Sequence, residues 1–119
     1  MKVMIVDDSN MIQCRIFNAL KKVDENINIA QAGSCEEALE RFPLFAPDTV
    51  ILDLGLPDGS GISLLQKFKK EKPDVHVIVF TNYNTLEFKK SCKDLGADHF
   101  FDKSNFSNLI NQVYQLNTH

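Results

Sequence analysis

Five polar residues fall at the ends of short apolar runs. Asp7 and Asp8 follow KVMIV, Asp53 closes TVILD, Thr81 closes VHVIVFT, and Lys103 follows DHFFD. Three carboxylates gathered at one place repel each other, so a hard divalent cation is their natural neutraliser. Mg²⁺ uses one or two carboxylates, keeps several waters and binds phosphate oxygens without a closed protein cage. Mn²⁺ prefers the same oxygen donors and is an acceptable substitute. A carboxylate held beside such a cation can attack phosphorus in line and form an aspartyl phosphate. Lys103 then offers a positive point charge for the phosphoryl oxygens, and Thr81 offers a hydroxyl donor. Asp53 is the candidate nucleophile, because it closes the third of five apolar runs, between the acid pair and the Thr and Lys. Asp7 and Asp8 alone could merely cap a helix and favour its dipole; capping does not account for the other three.

The elements that must carry these residues alternate. Lys2–Val6 reads as a strand, then a helix capped by Asp8 or Ser9 runs to about Lys22, with Ile12, Ile16, Ala19 and Leu20 on one face. Ile27–Ala32 is a second strand, and Ser34 with Glu37 is a capping box opening a helix to about Phe45. Thr49–Asp53 is a third strand, Leu56–Gly61 a loop by its Pro and Gly content, and Ile62 to about Lys72 a helix. Val75–Thr81 is a fourth strand, Thr85–Leu95 a helix stopped by Gly96, Asp98–Asp102 a short fifth strand, and Ser104 to about Leu116 the last helix. Five strand–helix repeats predict an α/β fold, a doubly wound five-stranded parallel sheet with helices on both faces. In such sheets the ligand sits beyond the carboxyl ends of the strands, which is where the five polar residues fall.

Bulk properties bound the partners. The chain has 119 residues, one domain's worth, with 44% hydrophobic and 24% charged residues, the composition of a globular protein. A formal net charge of -3 argues against direct binding to nucleic acid. No apolar run approaches the length of a membrane span, so membrane insertion is not expected. Cys14, Cys35 and Cys92 are odd in number and widely spaced, which predicts reduced thiols and a cytoplasmic setting.

The segments VDDS, ILDLGLPDGSG, VFTN and GADHFFDKS together resemble the receiver domains of two-component response regulators, over essentially the whole chain. The resemblance implies the flavodoxin-like, CheY-like strand order 2-1-3-4-5. It implies that Asp53 is the phosphoacceptor and that Asp8, Asp53 and the Gly55 carbonyl ligate Mg²⁺, with Asp7 acting mostly through water. Thr81 and Lys103 would hold the phosphoryl oxygens, and Phe100 occupies the switch aromatic position. The expected organisation is one receiver domain over residues 1–119 with no output domain. Such a domain catalyses its own phosphorylation and dephosphorylation without being a conventional turnover enzyme. Its expected partners are a histidine kinase or histidine phosphotransfer protein and a downstream protein target. The expected state is a monomer, with dimerisation on phosphorylation as an option. The alternative is a pseudo-receiver, an interaction module that is never phosphorylated.

Three residues depart from the family pattern. Ser104 stands after Lys103 where the family usually has Pro, so the expectation is either a trans bond with a shifted loop or a strained cis bond. Phe100 replaces the commoner Tyr, and Asn82 follows Thr81 where a smaller residue is usual. Met11, Cys14 and Phe17 are candidate docking residues on the first helix, Cys14 and Phe17 being expected on its exposed side. The resemblance further implies that Gly55 and Tyr83, two residues past the acceptor and two past the threonine, flank the line along which water would attack an acyl phosphate, Tyr83 with a ring large enough to shield it. Alternation is expected to leave only one of Phe100 and Phe101 in the core. His76 is expected at an edge or the surface.

Overall fold

The protein is described from a computed structural model covering residues 1–118. Strand β1 (Lys2–Val6) leads into helix α1 (Asn10–Val23), and β2 (Asn28–Ala32) into α2 (Cys35–Phe45). Strand β3 (Thr49–Leu52) is followed by two short strands, β4 (Gly55–Leu56) and β5 (Gly59–Ser60), before α3 (Gly61–Glu71). The chain continues through β6 (His76–Thr81), α4 (Leu86–Asp94), β7 (His99–Asp102) and α5 (Phe106–Asn117). The main sheet is parallel throughout, in the order β2-β1-β3-β6-β7. Counting only its five strands, this is the expected 2-1-3-4-5 arrangement; β6 and β7 are its fourth and fifth members.

The helices start where polar side chains can satisfy their free N–H groups. Ser9, not Asp8, caps α1, accepting from the Ile12 N–H at 3.3 Å. Ser34 accepts from the Glu37 N–H at 3.1 Å, while the Glu37 carboxylate reaches back one residue beyond a regular capping box to the Gly33 N–H at 2.7 Å. No helix among the described residues is long and apolar enough to cross a membrane.

Both faces of the sheet are covered, which is why the inner strands are apolar at nearly every position. On one face Met4, Val6, Val50, Leu52, Val77 and Val79 pack with Phe42, Leu64, Leu65 and Phe68 from α2 and α3. On the other, Val3, Ile5, Ile51, Ile78 and Phe80 pack with Ile16, Leu20, Leu109 and Val113 from α1 and α5. This double cover corrects the reading of β7. Phe100 joins the first core and Phe101 the second, each half-buried, because no face of the strand is left to solvent.

Three further expectations are revised. Leu56–Gly61 is not simply a loop: β4 and β5 pair antiparallel, Gly55 with Ser60 and Leu56 with Gly59. The last helix begins at Phe106 rather than Ser104, with Asn105 at its N-cap. His76 lies at the start of an inner strand, partly buried, with Nδ1 3.8 Å from Asp98 and its ring 5.1 Å from that of His99. At the sheet margin, Lys21 Nζ donates to the Ile27 carbonyl at 2.6 Å and Arg41 donates to the Gln31 carbonyl, both on the side of β2 that faces away from β1.

Candidate functional site

The carboxyl ends of β1, β3, β6 and β7 converge on Asp53. Its Oδ1 accepts from the Thr81 hydroxyl at 2.7 Å and from the Gly55 N–H at 3.3 Å. Its Oδ2 accepts from Lys103 Nζ at 2.9 Å. The same ammonium lies 2.9 Å from Asp7 Oδ2, so Lys103 bridges the acid pair to the acceptor candidate. Asp7 is also held by the Ser9 N–H, which donates to Oδ1 at 2.9 Å. Asp7, Asp53 and Thr81 are buried, at 2%, 5% and 0% exposure, whereas Asp8 is open to solvent. Carboxylate oxygens of Asp7, Asp8 and Asp53 lie within 4.8 Å of one another.

Electrostatics follow from that crowding. Burial pushes the Asp7 carboxyl above its ordinary value, against the pull of the Lys103 hydrogen bond. Burial would depress the Lys103 ammonium, but its bonds to Asp7 and Asp53 outweigh burial and raise it above the usual lysine value. One ammonium cannot balance three carboxylates. A small hard cation suits what is left over, since the donors are all oxygen and one of them, on Asp8, faces solvent.

The remaining sequence-derived residues fall in distinct places. The Tyr83 N–H donates to Thr81 Oγ1 at 3.2 Å, and its half-exposed ring lies over Gly55. A Cβ placed on Gly55 would come within 2.4 Å of Tyr83 Cε2, so the ring occupies the space that any larger residue would need. The ring meets Phe88 edge-on, with centroids 5.7 Å apart. Asn82 is exposed, and Phe100 is half-buried on the α4 side of β7. Met11 is 78% exposed and Cys14 is exposed, but Phe17 is half-buried beneath Lys21, whose Nζ stands 5.7 Å from the ring centroid. The exposed apolar pair on α1 is therefore Met11 and Cys14, not the expected Cys14 and Phe17. The Lys103–Ser104 bond is trans, which removes the strained cis bond from the two expectations.

Two positioning side chains escaped the sequence reading. Buried Gln13 donates through Nε2 to the carbonyls of Asp7 and Ala32, tying α1 to the ends of β1 and β2. Asp58 accepts from the N–H groups of Cys35 and Glu36 at 2.7 and 3.0 Å, capping α2 from the β4–β5 turn. The cap sits 22 or 23 residues away in sequence, beyond any local capping signature. It fixes the hairpin that carries Gly55.

A family model described as the response regulator receiver domain matches residues 3–114. The chain belongs to that family. Receivers as a class bind Mg²⁺ at an acidic pocket, and Asp7, Asp8 and Asp53 form such a cluster here. Among solved structures, the signal receiver domain of a DNA-binding response regulator from Colwellia psychrerythraea 34H superposes with a TM-score of 0.94. It covers 100% of this chain and 99% of that one at 24% identity, a likeness of fold. A CheY-like receiver domain protein from Methanospirillum hungatei JF-1 gives a TM-score of 0.88 at 27% identity, covering 97% and 91% of the two chains. The DNA-binding transcriptional activator DevR/DosR of Mycobacterium tuberculosis is 34% identical over 102 residues, 86% of this receiver and 47% of that protein. Sporulation initiation phosphotransferase F of Bacillus subtilis is 32% identical over 102 residues, 86% of this receiver and 81% of that protein. The receiver spans about half the length of the first three curated relatives it matches.

Proposed function

We propose that this receiver takes a phosphoryl group onto Asp53 from a phosphohistidine of a histidine kinase or histidine phosphotransfer protein, and signals through contacts with a downstream protein. The observation that carries the reading is the direct bonding of the Thr81 hydroxyl and the Lys103 ammonium to the two oxygens of one buried carboxylate, at 2.7 and 2.9 Å. These are the donors a phosphoryl group on that carboxylate would need, already gathered around it.

Asp8, Asp53 and the Gly55 carbonyl would hold Mg²⁺, with Asp7 acting through water. The bound cation would offset negative charge as phosphate approaches carboxylate. One Asp53 oxygen must give up a donor before it can attack phosphorus. Its electron pair forms the new O–P bond as the N–P bond to the imidazole breaks, and the electron pair of that bond leaves with the nitrogen. Released from the attacking oxygen, Thr81 and Lys103 remain within reach of the phosphoryl oxygens. As Thr81 turns toward them, space beside it opens for Phe100, biasing the surface of α4, β7 and α5. Met11 and Cys14 on α1, with half-buried Phe17 one turn further along the helix, offer an apolar surface for the phosphohistidine partner.

The test uses a small-molecule phosphodonor with Mg²⁺. One phosphoryl group should be added, and Asp53→Asn or chelation of the metal should prevent it. Labelling of Asp53→Asn at the wild-type rate would sink the assignment, and no labelling of the wild type would favour the pseudo-receiver. Amide shifts confined to the strand ends on phosphorylation would contradict the Phe100 switch.

A further inference from the structure

Asp102 is the last residue of β7 and the register partner of Thr81 across the sheet. Its carboxylate makes two bonds in opposite directions. Oδ2 accepts from the Ser104 N–H at 2.8 Å, and Oδ1 accepts from Asn84 Nδ2 at 2.7 Å. The first is an Asx turn, a side chain standing in for backbone two residues ahead. The Asp102 carbonyl closes the same segment by accepting from the Asn105 N–H at 2.8 Å. Lys103 is thus the first central residue of a turn held by both the carbonyl and the carboxylate of the residue before it. The Lys103 N–H itself donates to the Thr81 carbonyl at 3.1 Å.

The second bond crosses to the segment between β6 and α4. Asn84 follows Tyr83, whose N–H bonds Thr81 Oγ1 at 3.2 Å. Residues 81–84 and 102–105 therefore form one hydrogen-bonded unit, and its only link through a side chain at the Asn84 end is the Asp102 carboxylate among the described residues. Bonds from Ser104 and Asn84 hold that carboxyl below the ordinary aspartate range, which keeps it an acceptor. The Ser104 N–H that it uses is one that a proline at that position would lack.

We infer that Asp102 is a positioning residue for Lys103: its carboxylate fixes the turn that aims the ammonium at Asp53 and locks that turn to the segment bearing Thr81. This rests on the reading of Asp53 as phosphoacceptor. Asp102 is not one of the clustered acids, and both of its oxygens are bonded to Asn84 and Ser104. Its loss should therefore weaken the grip on phosphoryl oxygens and leave metal binding alone.

The experiment measures two affinities by calorimetry, Mg²⁺ alone and beryllofluoride in saturating Mg²⁺, for wild type, Asp102→Ala, Asp102→Asn and Asn84→Ala. Asp102→Ala should bind beryllofluoride roughly tenfold more weakly, less than the ~100-fold that a 1 Å misplacement can cost. Its Mg²⁺ affinity should stay within about twofold of wild type. Asp102→Asn should recover most of the loss, because its amide oxygen can serve Ser104 and the Asn84 amide can turn to accept. Asn84→Ala, an exposed change with little risk to folding, should show an intermediate loss. Wild-type beryllofluoride affinity in Asp102→Ala or in Asn84→Ala would overturn the inference. So would an equal fall in both affinities, or an Asp102→Asn protein as weak as Asp102→Ala. A wild-type protein that binds Mg²⁺ but not beryllofluoride would overturn the phosphoacceptor reading itself, and the inference with it.

Discussion

Gly61 opens α3 and is buried against the strand that carries the acceptor. Its N–H donates to the Leu54 carbonyl at 2.8 Å, which pulls the helix start against the chain just after Asp53. A Cβ at this position would stand 2.2 Å from the Asp53 carbonyl oxygen and 2.7 Å from Leu54 Cα. Both neighbours are backbone, so no side chain can turn aside, and the segment must move by more than an ångström to restore ordinary contact. Overpacking of this kind costs about 1–3 kcal/mol. The movement also falls on Asp53 and should disturb its bonds to Thr81 and Lys103. Gly61→Ala should therefore lower the urea midpoint and slow phosphorylation of the folded fraction. Gly96→Ala is the matched control. Gly96 has φ +98 and lies beyond α4 at the opposite end of the sheet, so alanine there should cost about 1–2 kcal/mol of stability and leave phosphorylation intact. Gly59→Ala is the tolerant control, since its Cβ would meet only the side chain of Cys35, Sγ at 3.2 Å and Cβ at 3.9 Å. Phosphorylation of Gly61→Ala at the Gly96→Ala rate would refute the argument, as would a midpoint equal to that of Gly59→Ala.

Tyr83→Ala should lose its phosphoryl group severalfold faster than wild type once donor is removed, an effect needing only about 1 kcal/mol of barrier; an equal or slower loss would show that the ring does not shield. Met11→Gln with Cys14→Ser should slow transfer from a phosphohistidine partner but not from a small donor, and an equal slowing in both assays would point to damage of the fold. Burial depresses the His76 imidazole against the pull of Asp98, with His99 and Lys69 adding to the depression. The unfolded chain then takes up a proton near 6.5 that the folded chain still refuses, so this contribution to stability is full above that pH and falls below it. Urea midpoints at about pH 7.5 and about pH 5.5 should differ less in His76→Gln than in wild type, and an unchanged difference would remove His76 from the explanation.

The parts of this molecule legible in sequence were those with a period or a punctuation mark. Apolar runs marked β1, β3 and β6, and each ends in the polar residue that faces the site. Ser34 with Glu37 marked α2 through a local capping signature. The β4–β5 hairpin was not legible, because two-residue strands are too short to show alternation. Gln13 and Asp58 were hidden for a different reason: their partners are backbone groups on other elements, and no spacing within the chain reports them. Alternation along β7 does not report that α4 and α5 cover both of its faces, so Phe100 and Phe101 both pack against core. Helical period puts Phe17 on an outward face, and it does not report the Lys21 side chain whose Nζ stands over the ring there.

The outer side of β2 bears on how this protein behaves at high concentration. A parallel sheet ends in a row of free carbonyl and N–H groups, and such a row is a template onto which another chain can add a strand. Here the carbonyls of Ile27, just before β2, and of Gln31, within it, are already occupied by Lys21 and Arg41, so an incoming strand would have to displace two cations to pair along its full length. Neutral replacements of Lys21 and Arg41 would free those two carbonyls and so lower the barrier to strand addition at that margin.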